Sequence, residues 1–185
     1  MDDPRRFPTQ DRAIRRCVCL GVGFALAVLG SPLAAASTDL PPPTGDIILT
    51  ITGEIDVHNA PDAAVFDLAI LRDMPSETYR TTTLWTEGVQ VFKGVLLETL
   101  LETVQISGTL IHARAINDYA IDIPVEDIEA SRPLVAYENH GQEMSLRDKG
   151  PLWIVFPFDD GPEFQTEVNF ARSIWQLDRI EVVTK

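Results

Sequence analysis

Cysteine occurs twice in the 185 residues, as Cys17 and Cys19, and both lie in an amino-terminal apolar segment. No thiol follows them. That excludes a disulfide framework, a Cys/His nucleophile, a zinc–thiolate site and any thiolate-held metal from the rest of the chain. Histidine is scarce as well. His58, His112 and His140 stand singly, without a carboxylate or second histidine at metal-ligand spacing, and are expected to be ordinary surface or hydrogen-bonded side chains. There is no G-x-S-x-G, H-E-x-x-H, P-loop or G-x-G-x-x-G pattern. Asp159-Asp160 are adjacent carboxylates in a Gly-Pro loop, expected to be solvated rather than an acid/base pair. No catalytic and no metal-ligating residue is assigned. Internal repeats, low-complexity tracts and a second linker are also absent, so one domain is expected.

The one long apolar run, Cys17 to Gly30, is too short to span the roughly 30 Å of bilayer hydrocarbon as a helix. It follows Arg5, Arg6, Arg12, Arg15 and Arg16 and precedes Ala34-Ala35-Ala36. A basic zone, a short apolar zone and a small-residue cleavage pattern make residues 1–36 a predicted signal peptide, with Ser37 starting the mature chain and the bacterial periplasm as destination. Arg15-Arg16 leaves open whether export uses the general or the twin-arginine route. Residues 37–45 (STDLPPPTG) are expected to form an extended, poorly packed lead-in, and residues 46–185 the domain.

The leader holds five of the 15 basic and three of the 28 acidic residues, which leaves a formal charge of −15 on the remainder. Such a field repels nucleic acid and anionic lipid, so neither is an expected partner. It suits solubility, and a basic partner.

The β-branched run Ile47 to Thr52 predicts a strand. Asp67 is placed to cap a short helix over Leu68 to Asp73. Thr78 to Trp85 and Val89 to Phe92 are predicted strands around a Glu87-Gly88 turn. From Gly94 the period becomes helical, with Leu96, Leu97, Leu100, Leu101 and Val104 on one side and Glu98 and Glu102 on the other. Ile111, Ala113 and Ala115 alternate with polar residues, Asn117-Asp118 is a turn, and Tyr119 to Ile123 returns as a strand. Val125 to Ala130 predicts a helical turn. Leu134 to Tyr137, Leu152 to Phe156 and Arg179 to Val183 predict further strands, and Phe158 to Thr166 a surface loop. Strands with irregularly interspersed short helices predict an α+β fold with a single mixed-sheet domain.

Five ordered motifs carry a resemblance. They are F-K-G-V-x-L from Phe92, A-I-N-D-Y-x-I-x-I-P from Ala115, G-x-x-M from Gly141, K-G-P-L-W-I-V-F-P from Lys149, and R-S-I-W-Q-L-x-x-I-x-V from Arg172. In this order the chain, from about Phe66 to Val183, resembles the sulfite-oxidase-type molybdopterin-binding domain, and its small single-domain periplasmic branch in particular. The resemblance implies that fold and a pterin-holding cleft. Molybdenum enzymes of the family hold their metal through a cysteine, which would lie in the Thr81-Thr82-Thr83-Leu84-Trp85 region, where this chain has none. Serine, threonine or aspartate is a poor substitute, so molybdenum is not expected. Cysteine-less members of the branch are similar to periplasmic pterin-responsive regulators of the PruR type. Those bind reduced pterins and act on the periplasmic part of a membrane-bound cyclic-di-GMP enzyme.

A pterin is planar, with an edge of alternating donors and acceptors, and its recognition needs an aromatic face plus an amide or carboxylate. Trp85, Tyr119 and Trp175 are candidate stackers, Asn117 and Asp118 candidate edge readers, and Arg147 a candidate partner of the oxo group. Trp153, inside the LWIVF run, is expected in the core. The expected function is therefore a periplasmic pterin-binding signalling protein that reports ligand state to a membrane sensor without redox catalysis. Two alternatives stand beside it: a molybdopterin-dependent oxidoreductase with a non-cysteine metal ligand, and a ligand-free protein-interaction module.

Overall fold

The computed structural model describes residues 40–185, so the predicted signal peptide lies outside the described residues. Ten strands and four short helices follow one another along this stretch. The first strand, β1 (Ile47–Gly53), pairs antiparallel with β2 (Ala63–Asp67), which runs directly into α1 (Leu68–Asp73). Next come β3 (Glu77–Thr81), β4 (Gln90–Leu96) and α2 (Leu97–Thr103). The hairpin β5 (Leu110–Ala115) and β6 (Ala120–Pro124) leads into a 3-10 turn over Val125–Asp127 and α3 (Ile128–Ser131). The chain closes with β7 (Leu134–Asn139), β8 (Gln142–Glu143), β9 (Trp153–Val155), α4 (Glu167–Arg172) and β10 (Leu177–Val183).

The strands form two five-stranded sheets rather than one. The first has the order β2-β1-β10-β5-β6 and is mixed, because β1 and β10 run parallel while every other pair is antiparallel. The second runs β3-β4-β7-β8, with β9 also paired to β7. The α+β class stands, with few and short helices. A single continuous hydrophobic cluster fills the interior, including Leu49, Ile51 and Phe66 of the first sheet, Phe92, Val95 and Val135 of the second, and Leu97, Leu100 and Leu101 of α2. Two strands were not expected from the sequence. β2 is buried at every position, so its residues AAVFD show no alternation; β8 has only two residues.

Local chemistry sets several boundaries. Asp67 caps α1 by accepting from Ile70 N at 2.8 Å, and its second oxygen accepts from Thr44 N and Gly45 N, each at 2.7 Å. These hydrogen bonds, that of Ile70 first, pull its pKa down to about 2. The same carboxylate ties down residues 44–45, and Asn59 Nδ2 holds Pro41 O at 2.8 Å. These hydrogen bonds anchor the described part of the lead-in, whose residues remain mostly exposed. Strand β3 ends at Thr81 instead of running to Trp85. The reason is that Thr82 gives its backbone N–H (2.7 Å) and its hydroxyl (2.6 Å) to the Asp159 carboxylate, not to a neighbouring strand. Strand β4 extends to Leu96, which postpones the helix by a residue, and Gly94 lies where any side chain would strike the β7 backbone at Val135 and Ala136. Phe158 and Phe164, expected on a surface loop, are buried.

The two sheets meet beside β9. Ile154 N donates to Ile174 O and Leu177 N to Leu152 O, and Trp153 bridges Trp175, so residues 174–177 run along β9 before entering β10. Trp175 is thereby set at the junction. Among the described residues no helix is long and apolar enough to cross a membrane.

Candidate functional site

Three tryptophans converge at this junction from three separate segments. Trp85 comes from the loop between β3 and β4, Trp153 from β9, and Trp175 from the approach to β10. Their ring centroids are 6.0 Å (Trp85–Trp153), 5.6 Å (Trp85–Trp175) and 6.2 Å (Trp153–Trp175) apart, with interplanar angles of 60° to 83°. Edge-to-face contact of this kind is the favoured arrangement of aromatic quadrupoles. Phe92 meets Trp153 and Phe170 meets Trp85 in the same way. Trp153 is 1 % exposed, as expected for the core, and its indole N–H is shared between Ser173 O (3.3 Å) and Ser173 Oγ (3.2 Å).

Against this cluster opens a cavity of about 410 Å³ lined by Trp85, Ala115, Asn117, Tyr119, Phe170, Ala171, Ser173, Ile174 and Trp175. Its volume falls in the range of about 300–1,000 Å³ common to small-molecule sites. The β5–β6 turn supplies Asn117 and Tyr119, and α4 supplies Phe170 and Ala171. Asn117 Oδ1 accepts from Tyr119 N at 3.2 Å, an Asx turn that fixes the amide; its NH₂ has no protein partner among the described residues. Ser173 Oγ is committed, donating to Ile154 O at 2.7 Å. Tyr119 is 55 % exposed. The lining contains no Asp, Glu, His, Lys or Arg. What the lining offers is apolar contact with a few hydrogen-bonding groups, chiefly Asn117 and Tyr119.

Four of the six residues singled out in the sequence, Trp85, Asn117, Tyr119 and Trp175, thus share one cavity. The other two lie elsewhere. Asp118, at φ 66°, directs its carboxylate to Arg179 Nη2 at 3.0 Å and stands 3.9 Å from Arg114 Nη1. Arg147 belongs to the exposed 3-10 turn Leu146–Asp148 and is not part of the lining. The cation that does meet the tryptophans is Lys149, with Nζ 4.9 Å from the Trp175 ring centroid and 5.8 Å from that of Trp153. Phe170, Ala171 and Ile174 were also not singled out. Phe170 and Ala171 immediately precede the R-S-I-W motif and Ile174 lies within it, which was the available signal.

The Thr81–Trp85 segment, where the resemblance would put a metal-holding cysteine, offers hydroxyls that are already engaged. Thr81 Oγ1 accepts from Asp159 N at 3.1 Å and donates to Thr82 O at 3.2 Å. Thr82 Oγ1 donates to Asp159 Oδ1. Thr83 Oγ1 accepts from Trp85 N at 3.1 Å and shares a 2.8 Å hydrogen bond with Thr86 Oγ1. These side chains hold the Trp85 loop in place and do not fit a molybdenum ligand set. Nor do three His, Cys, Asp or Glu side chains among the described residues group to hold a metal ion.

No family model and no curated protein sequence matches the chain. Among solved structures, the chain is similar in fold to the sulfane dehydrogenase SoxCD from Paracoccus pantotrophus, with a TM-score of 0.55 and 18 % identity. The match covers 74 % of this chain and 38 % of that protein, so the chain spans well under half of its length. At this identity the likeness concerns the fold alone.

Proposed function

We propose that this protein is a periplasmic pterin-binding signalling protein, which reports ligand state to the periplasmic domain of a membrane-bound sensor such as a cyclic-di-GMP enzyme, without redox catalysis. The observation that carries the reading is the convergence of Trp85, Asn117, Tyr119 and Trp175 on one mainly apolar cavity. The indoles provide walls for a flat ring, and the free Asn117 amide is a donor for a ring oxo group. With no charged side chain in the lining, the cavity suits an uncharged pterin better than a phosphate-bearing one. Binding can bias a downstream partner only if the protein's partner-competent and partner-incompetent states differ in ligand affinity.

Calorimetric titration with tetrahydropterins, followed in parallel by tryptophan fluorescence, tests the proposal. Saturable heat and quenching are expected, and absence of both at high micromolar ligand rejects it. Trp175→Ala is expected to weaken binding about fivefold to tenfold, the loss of one aromatic contact of roughly 1 kcal/mol.

The likeness in fold to a dehydrogenase favours a second reading, a molybdopterin-dependent oxidoreductase with a non-cysteine ligand. Stoichiometric molybdenum in protein purified from its native host decides for it. The third, a ligand-free interaction module, requires partner binding that is insensitive to pterin.

A further inference from the structure

A second concavity lies away from the tryptophans, between α2 and the segment Val125–Glu129. Its volume is about 380 Å³, and it shares no lining residue with the tryptophan cavity. Leu101 and Ile128, each 3 % exposed, form its floor together with the half-buried Ile106 and Val125. Its walls carry four carboxylates, Glu98 and Glu102 from α2 and Glu126 and Glu129 from the opposite side. A smaller hollow of about 130 Å³ continues it toward Pro133 and shares Glu98, Ile128 and Glu129.

Some acidic side chains elsewhere on this surface are paired with arginines, while others, Glu163 and Glu167 among them, are in no ion pair among the described residues. Glu138 and Glu143 hold Arg72, Asp118 holds Arg179, and Asp127 holds Arg172. Among the described residues none of Glu98, Glu102, Glu126 and Glu129 is within ion-pair distance of a lysine, arginine or histidine. Glu98 and Glu102 are four residues apart on one helix face and repel one another; Arg132 lines the adjoining hollow with Glu98 and Glu129 without pairing with either. An apolar trough between two acidic banks that make no ion pair among the described residues matches one occupant chemistry: apolar side chains along a stripe, flanked on both sides by lysine or arginine.

We propose that this groove is the docking seat for a basic amphipathic helix of a partner protein. The apolar stripe covers Leu101, Ile106, Val125 and Ile128, and its flanking cations neutralise the four glutamates. The net charge of −15 outside the leader steers such a segment toward the surface, and the groove selects it by shape. The proposal is independent of the pterin reading, since it needs no ligand in the tryptophan cavity.

The test uses the protein purified from its native host and a fluorescein-labelled 18-residue Leu/Lys amphipathic helix, read by fluorescence anisotropy at low ionic strength. A Leu/Glu peptide of the same pattern and the polyamine spermine are the comparison probes. The Glu102→Lys/Glu129→Lys variant should bind the Leu/Lys peptide at least about tenfold more weakly at unchanged melting temperature. Glu163→Lys/Glu167→Lys, which changes the net charge equally off the groove, should bind within about twofold of the parent. The Leu/Glu peptide should not bind. Equal weakening in the two double variants, no weakening in either, or spermine competing as well as unlabelled peptide overturns the proposal. The first outcome leaves only a net-charge effect, and the last only an acidic cluster.

Discussion

Arg172 Nη2 stands 2.9 Å from Asp127 Oδ2, and this ion pair ties the end of α4 to the turn Val125–Asp127. On one side of it, Phe170 and Ala171 line the tryptophan cavity; on the other, Val125 and Glu126 line the acidic groove. The arginine is only 14 % exposed and occupies the last turn of its helix, where a cation also favours the helix dipole. One side-chain contact therefore joins the wall of the proposed ligand site to the wall of the proposed partner seat. Arg172→Met is expected to cost about 1 kcal/mol in denaturant unfolding, since the pair is charge-assisted but Asp127 is half exposed. If the two sites communicate through it, tetrahydropterin should change the affinity for the Leu/Lys helix in the parent and leave it unchanged in Arg172→Met. An equal change in both would place the coupling elsewhere.

Asp159 is the second fastening of the cavity. It receives both the backbone N–H and the hydroxyl of Thr82, and its own N–H reaches Thr81 Oγ1. The loop that follows presents Trp85 to Trp153 and Trp175. Asp159→Ala should release residues 82–89 while leaving the core intact. Hydrogen exchange is expected to rise severalfold in that loop and to stay unchanged in β4, β7 and β9. Uniform loss of protection would mean that Asp159 supports the whole fold instead.

What the sequence disclosed follows from which signals are local. The Asp67 cap, the helical period from Leu96 to Val104 and the alternation in β5 are all set by neighbours within a few residues; the cap and β5 are found where expected, and the helix starts one residue later, at Leu97. β2 escaped because a strand buried on both faces has no period to read. The early end of β3 depends on Asp159, 77 residues away, and no local pattern encodes it. The same division runs through the site. Asn117 and Tyr119 belong to a recognisable turn, and the tryptophans are few enough to be singled out. Whether Asp118 turned toward the cavity or toward Arg179 depended on a strand pairing between β5 and β10 that only the fold supplies.

That orientation makes Asp118 a discriminating position. Its carboxylate serves Arg179 and Arg114 on the outside of the hairpin, so Asp118→Asn should leave tetrahydropterin affinity within about twofold of the parent. Exposed ion pairs of this kind contribute at most about 1 kcal/mol, and the melting temperature should fall by no more than a few degrees. Asn117→Ala removes the Asx turn and the free amide together, and Asn117→Asp keeps the turn while replacing the donor by an acceptor. Both should weaken binding, the second without disturbing the hairpin. Weakening by Asp118→Asn with none by Asn117→Asp would assign edge recognition to Asp118 after all.

Asp67 and Tyr79 have pKa values displaced in opposite directions, so each is expected to make stability fall toward one end of the pH range. The Asp67 carboxyl is held near 2 by the N–H groups of Ile70, Gly45 and Thr44, against an ordinary value of 3.8. A depressed folded-state pKa contributes stability that is present above the unfolded value and lost as the pH falls through the folded one, so the loss runs from about pH 4 to about pH 2. Tyr79 is the converse case. Burial pushes its phenol up to about 12 from 10.0, and its hydroxyl donates to Arg132 O at 3.0 Å. Its neutral form is the one the fold keeps, so that contribution is complete below pH 10 and disappears as the pH rises toward 12. Urea midpoints measured across pH should fall at both ends. Asp67→Asn should flatten the acid limb and also lower the plateau, because the charged cap is lost at every pH. Tyr79→Phe should flatten the alkaline limb at a neutral-pH cost of about 1 kcal/mol, the net worth of one buried hydrogen bond. An acid limb that survives Asp67→Asn would show that other carboxylates set the low-pH limit.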